Sequence, residues 1–179
     1  MSLNKLGYFQ KLRLEFIEFR LEYYSFISRK DLIDQFEIGP ASASRDLAIY
    51  IELAPNNLVL RHESKQYFRS SDFSPIFNHE RQQVLASLIN GFVGLSIGKK
   101  SEEYKFVDSR PIEDFDLSVL GLISRGLHSN EKVVINRELF TIKCVSLSLD
   151  GKVTVALHDD KNFVDISRHM NELQGVLMV

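Results

Sequence analysis

Residues 28–55 constrain the fold most, because two short amphipathic runs are separated there only by Glu37-Ile38-Gly39-Pro40. In the first run Leu32, Ile33 and Phe36 fall on one helical face. Ser28 followed by Asp31 is a capping-box start, with an acidic group near the positive end of the helix dipole. Gly39 permits turn geometries closed to other residues, and Pro40 suits the first position of a new helix, where its missing N–H costs nothing. In the second run Ala43, Leu47, Tyr50 and Ile51 share one face, Ala41, Ser42, Arg45 and Ala48 share the opposite one, and Pro55 ends it. This punctuation predicts two short helices meeting at a tight turn.

The flanks extend the pattern. From Gln10 to Phe26 apolar residues recur at helical spacing (Leu12, Phe16, Phe19, Tyr23, Phe26), with Lys11, Arg13, Glu15, Glu18, Arg20 and Glu22 filling the remainder. The aromatic stripe reads as core packing, with a dimer surface as the use for any part the fold does not cover. After Pro55, Leu58–Arg61 and Gln66–Arg69 surround the polar stretch His62-Glu63-Ser64-Lys65 and predict a hairpin. Three helices followed by a hairpin is winged-helix order.

Further on, a helix is predicted from His79 to Asn90 with Val84, Leu85, Leu88 and Ile89 inward, and Gly91, Gly94 and Gly98 break that pattern. The polar stretch Gly98 to Arg110 reads as a loop or linker, and a second helix is predicted from Phe115 to His128, carrying Leu117, Leu120, Ile123 and Leu127. Strands are predicted at Val133–Asn136, Phe140–Leu147 and Val153–Leu157, with Asp150-Gly151 as a hairpin signal. Cys144 alternates with apolar neighbours and is expected to be buried. The expected fold is α+β: a winged helix-turn-helix over 1–77, a helical linker over 78–125 and a small antiparallel β domain over 126–179.

Composition excludes several classes of function. No uninterrupted apolar stretch approaches about 18 residues, so no membrane span is expected. The start Met1-Ser2-Leu3-Asn4-Lys5 has no apolar core of an export signal, and the single cysteine fits a reducing, cytoplasmic setting. No Gly-rich phosphate loop, nucleophile elbow or carboxylate pair is present, so neither an enzyme nor a cofactor is expected. His158, Asp159, Asp160 and His169 lack metal-ligand spacing and read as a solvated turn. The net charge is −2, and up to Phe77 ten Lys/Arg balance ten Asp/Glu, so any nucleic-acid contact must come from where cations sit.

The groove-facing set of a helix-turn-helix would be Ala41, Ser42, Ser44 and Arg45, with Pro40 at the mouth. Small residues let the backbone approach bases, Ser hydroxyls donate or accept, and Arg45 can reach a phosphate or a guanine. Ser28, Arg29 and Lys30 suit phosphate capture, and Arg61, His62 and Lys65 would place the wing along the backbone or minor groove. Asp46 would repel phosphate, so an intramolecular partner is expected for it. The same Ser/Arg face also reads as solvated surface, and three-helix folds with hairpins serve protein–protein contacts too.

Residues 13–77 resemble the N-terminal winged helix of WYL-domain transcription regulators, of the type found in bacterial phage-defence islands (BrxR/CapW-like). The resemblance is carried by Arg29-Lys30-Asp31-Leu32, Phe36-Glu37-Ile38, Ala43-Ser44-Arg45-Asp46-Leu47 and Tyr50. It continues through Leu53-Ala54-Pro55-Asn56-Asn57-Leu58 and Lys65-Gln66-Tyr67. It implies a homodimeric repressor on an inverted-repeat operator in double-stranded DNA. It also implies a following WYL domain, a small Sm-like barrel that senses a nucleotide or nucleic-acid effector. Asp150-Gly151-Lys152-Val153-Thr154-Val155 lies where the signature strand would fall and lacks its aromatics, whereas Phe163–Arg168 resembles the closing strand, with Arg168 at its basic, ligand-binding position. Residues 126–179 thus resemble a reduced or divergent WYL-like domain without the usual C-terminal extension. The alternative function is a protein-interaction module that pairs with, or antagonises, a full-length regulator.

Overall fold

The structure, a computed structural model, describes residues 3, 6–95, 112–173 and 175–178. The chain divides into two compact units, Met1–Lys99 and Lys100–Val179. The predicted loop at Gly98 to Arg110 lies outside the described residues.

The first unit is built around α1 (Tyr8–Tyr24), whose Phe16, Ile17, Phe19, Leu21 and Tyr23 are all buried. Other elements cover α1 on more than one side, and Glu15 and Glu18, expected among its polar residues, are buried as well. The helix stops two residues before the predicted end. Ser25 takes a left-handed conformation (φ 72°), and Phe26 therefore belongs not to the helix but to strand β1 (Phe26–Ile27). The Ser28–Asp31 capping box starts α2 (Arg29–Phe36), and Pro40 opens α3 (Pro40–Leu53). The left-handed residue of the turn between them is Glu37 (φ 52°), whereas Gly39 is extended (φ −72°). The glycine's freedom is therefore not what makes the turn.

Strands β2 (Leu58–Arg61) and β3 (Gln66–Arg69) form the predicted hairpin, and β1 pairs with β3 to give the order β1-β3-β2. Helix α4 (Arg81–Asn90) buries Val84, Leu85 and Ser87, but Ile89 is 58% exposed. Gly91 (φ 92°) ends the helix, and the chain doubles back. The Ser87 hydroxyl donates to Gly94 O and accepts from Val93 N. This return puts the Phe92 ring 5.1 Å from Phe16 and 5.2 Å from Phe19. The stretch expected to be a separate helical linker is thus shared, its first helix completing the core of the first unit.

In the second unit Asp116 caps α5 (Leu117–Ser129) by accepting from Ser118 N. Five antiparallel strands follow: β4 (Lys132–Ile135), β5 (Glu138–Leu147), β6 (Val153–Asp159), β7 (Val164–His169) and β8 (Leu177–Met178). Their order is β7-β6-β5-β4-β8, so the last strand returns beside the first. Gly151 (φ 83°) makes the predicted turn before β6, and Asn136-Arg137, both left-handed, make a tight one before β5. Leu120 and Ile123 of α5 are buried, as are Val133, Phe140, Ile142, Val155 and Leu157 of the sheet. Cys144 is exposed, contrary to expectation. A register shift between Ile142 and Cys144 inserts an extra residue, which reverses which side chains of β5 face inward. Among the described residues no helix is long and apolar enough to cross a membrane.

Candidate nucleic-acid interface

Helix α3 is held along one face only. Ala43, Leu47 and Tyr50 are buried, while Ala41, Arg45 and Ala48 are exposed and Ser42 and Ser44 partly so. Two buried carboxylates fix it, one helical turn apart. Midway along the helix, Asp46 is fully buried and receives Arg13 Nε at 2.6 Å and Arg13 Nη2 at 3.3 Å, with Gln10 Nε2 at 3.4 Å. This is the intramolecular partner expected for Asp46. Asp46→Asn, which keeps the shape but not the charge, is expected to lower stability by about 1.5 kcal/mol, read by thermal unfolding.

Towards the end of α3, Tyr50 Oη donates to Glu18 at 2.9 Å, and burial pushes the Tyr50 phenol above the usual tyrosine range, the Glu18 charge adding to it. Glu18 also accepts the backbone N–H groups of Ile76 and Phe77 and meets His79 Nε2 at 2.9 Å. Asn57 Nδ2 donates to Tyr50 Oη and to Ser74 O, tying the start of the hairpin to the same cluster. Helix, hairpin and the 74–79 segment are therefore locked to α1 by one carboxylate.

The free end of α3 is left with Gly39, Pro40 and Ala41, all exposed. A Cβ at Gly39 would meet nothing within 4 Å, so the fold itself does not require glycine there. Absence of a side chain leaves room for another molecule to approach the backbone. Arg45, one turn further, makes no ion pair among the described residues.

The start of α2 is differently equipped. The Ser28 N–H and hydroxyl both go to Asp31 Oδ2, each at 2.7 Å, so the box uses them up. Asp31 is opposed by Arg20 at 3.6 Å, which offsets a carboxylate that would otherwise repel an anion at this tip. Arg29 Nη1 reaches Ser44 Oγ at 3.5 Å and so joins the tip of α2 to α3. Lys30 is paired with Asp34, which raises its pKa and occupies its charge. On the hairpin Arg61, His62 and Lys65 are exposed, Lys65 in a left-handed turn position (φ 55°). Arg61 lies over the Phe68 ring, 3.9 Å from its centroid.

The structure thus groups Ala41, Ser42, Ser44, Arg45 and Arg29 about the joined α2 and α3 tips, and puts Arg61, His62 and Lys65 on the hairpin. Arg168, in the second unit, is exposed on β7 and donates to the neighbouring Ser167 O. Sequence reasoning gave Asp46 an intramolecular partner but missed Glu18 as an anchor of α3. A buried carboxylate on an amphipathic helix looks like any surface one until its partner, here 32 residues distant, is known.

The family model of the BrxR transcriptional regulator winged helix-turn-helix domain matches residues 10–90. This segment is similar to a BrxR-type winged helix-turn-helix domain. The match takes in α4, in keeping with the packing of that helix in the first unit. The chain is also similar to proteins called DNA-binding transcriptional repressor CapW. The one from Stenotrophomonas maltophilia is 29% identical over 136 residues, 76% of this chain and 43% of the relative. That from Escherichia coli (strain KTE188) is 30% identical over 69% of this chain and 43% of its own length. A third, from Pseudomonas aeruginosa, is 37% identical over 68 residues, 38% of this chain and 23% of the relative. The chain spans less than half the length of these curated relatives. The two longer matches exceed the BrxR-type domain and run into the second unit.

Proposed function

We propose that this protein is a sequence-specific DNA-binding transcription regulator, acting in the cytoplasm as a dimeric repressor on an inverted repeat. The observation that carries the reading is the outer face of α3, an exposed helix start bearing Arg45 with no carboxylate partner among the described residues. The anchors on Asp46 and Glu18 hold that helix rigidly, as presentation to a major groove requires. Ala41 and Ser42 would lie nearest the bases, Arg45 would reach a guanine or a phosphate, and Arg29 with the hairpin cations would hold the flanking backbone. Among the α2 residues Lys30 contributes least, because Asp34 holds its charge. The names of the CapW relatives support the repressor reading. It assigns the protein no catalysis and no cofactor.

For the second unit the reading is an Sm-like, reduced WYL-like sensor of a nucleotide or nucleic acid, with Arg168 as a contact. A helix followed by five antiparallel strands, the last beside the first, supports it.

A mobility-shift titration of the pure protein on the DNA upstream of its own gene tests the main proposal. The expected result is a discrete shift that outlasts excess unrelated duplex and weakens steeply between about 50 and 200 mM salt. No shift on that DNA, or one that unrelated duplex removes equally well, contradicts it.

A further inference from the structure

Arg61 is the hairpin cation with the most defined surroundings. It stands on β2 two residues beyond Val59, and Val59 pairs with Phe68, so Arg61 reaches diagonally across the strands to the Phe68 ring. Phe68 pairs in turn with Phe26 of β1, their ring centroids 5.7 Å apart. The Arg20 guanidinium lies 5.3 Å from the Phe26 centroid and 4.3 Å from that of Tyr24, and its Nη2 is 3.6 Å from Asp31, whose carboxylate completes the capping box of α2. Among the described residues Arg20 Nε is buried without a hydrogen bond, and rings and one carboxylate surround the group. The result is a continuous ladder, Arg61–Phe68–Phe26–Arg20–Asp31, running over the outer face of the three-stranded sheet from the hairpin to the tip of α2.

We propose that Phe68 is a positioning residue for DNA binding: it holds the Arg61 guanidinium at a fixed distance from the α2 tip, so that both engage the duplex backbone in one register. The inference rests on the DNA-binding reading above. A long exposed arginine loses rotamer freedom when it binds a phosphate, and a ring that already holds its guanidinium plane removes part of that loss beforehand. The edge of a guanidinium stacked by its face still carries its N–H donors, so stacking leaves phosphate binding open.

The test is a double-mutant cycle on the upstream duplex, with Kd measured across a salt series. Arg61→Ala should weaken binding and reduce the slope of log K against log salt by about 0.9, the value of one phosphate contact. Phe68→Leu, which keeps an apolar side chain but removes the ring, should weaken wild-type binding about 3-fold and cost nothing further once Arg61 is alanine. Phe68→Tyr, which keeps the ring, should bind as wild type does. An equal loss from Phe68→Leu in both backgrounds would show that Phe68 merely packs the sheet, and would overturn the inference while leaving the DNA-binding reading intact. Failure of the wild-type chain to bind would overturn both.

Discussion

Glu18→Ala is expected to destabilise the first unit by about 3–5 kcal/mol, the largest single effect within it. The carboxylate is 0% exposed and is met by four groups: Tyr50 Oη, the Ile76 and Phe77 N–H groups and the His79 ring. Removing it strands these donors away from water, and each buried donor without an acceptor costs on the order of 1–3 kcal/mol, less than additively. In a unit of this size that corresponds to a fall in melting temperature of roughly 12 °C or more, read by calorimetry or circular dichroism. Glu18→Gln should fall between wild type and Glu18→Ala, because its amide keeps one acceptor oxygen but turns an NH2 group towards donors. A loss below about 1 kcal/mol for the alanine variant would show that the cluster does not anchor the unit.

Arg45→Ala is expected to act in the opposite way, on binding and not on folding. The side chain is exposed and unpaired among the described residues, so stability should change by no more than about 0.5 kcal/mol. Binding to the upstream DNA should weaken by about 1–3 kcal/mol, roughly 5- to 150-fold, the range for losing a specific base-edge contact. Lys30→Ala is the comparison: its charge is already matched by Asp34, so its loss should be smaller. Unchanged affinity in Arg45→Ala would remove α3 from the interface.

The helices and the hairpin were legible because their signals are local. The Ser28–Asp31 box, Pro40 and the polar stretch between Leu58–Arg61 and Gln66–Arg69 each report on a handful of neighbours, and the structure has them as read. What the sequence hid depends on distant partners. Glu15 and Glu18 look like the polar side of α1, and only the Tyr50, Ile76–Phe77 and Leu95 backbones or side chains around them make them interior. Ile89 was expected inside because of its helical phase, but Phe92 reaches that core from beyond the helix end. Cys144 was expected inside on strict alternation, which a bulge in β5 interrupts, and short strands such as β1 and β8 are too brief to show a period. Of the candidate site, residue types and positions were readable. Whether a given charge is free, stacked or already paired was not, as Lys30 and Arg61 illustrate.

The most direct measurement is amide hydrogen exchange of the wild-type chain with and without its upstream duplex. In the free protein the Ser42 and Ala43 N–H groups already donate to Gly39 O, so the groups expected to exchange fast at the start of α3 are those of Gly39 and Ala41, together with those of the exposed hairpin turn. With the duplex bound, slowed exchange is predicted over residues 39–47 and 61–66. Protection confined to residues 112–178, with the start of α3 exchanging as fast as before, would contradict the account.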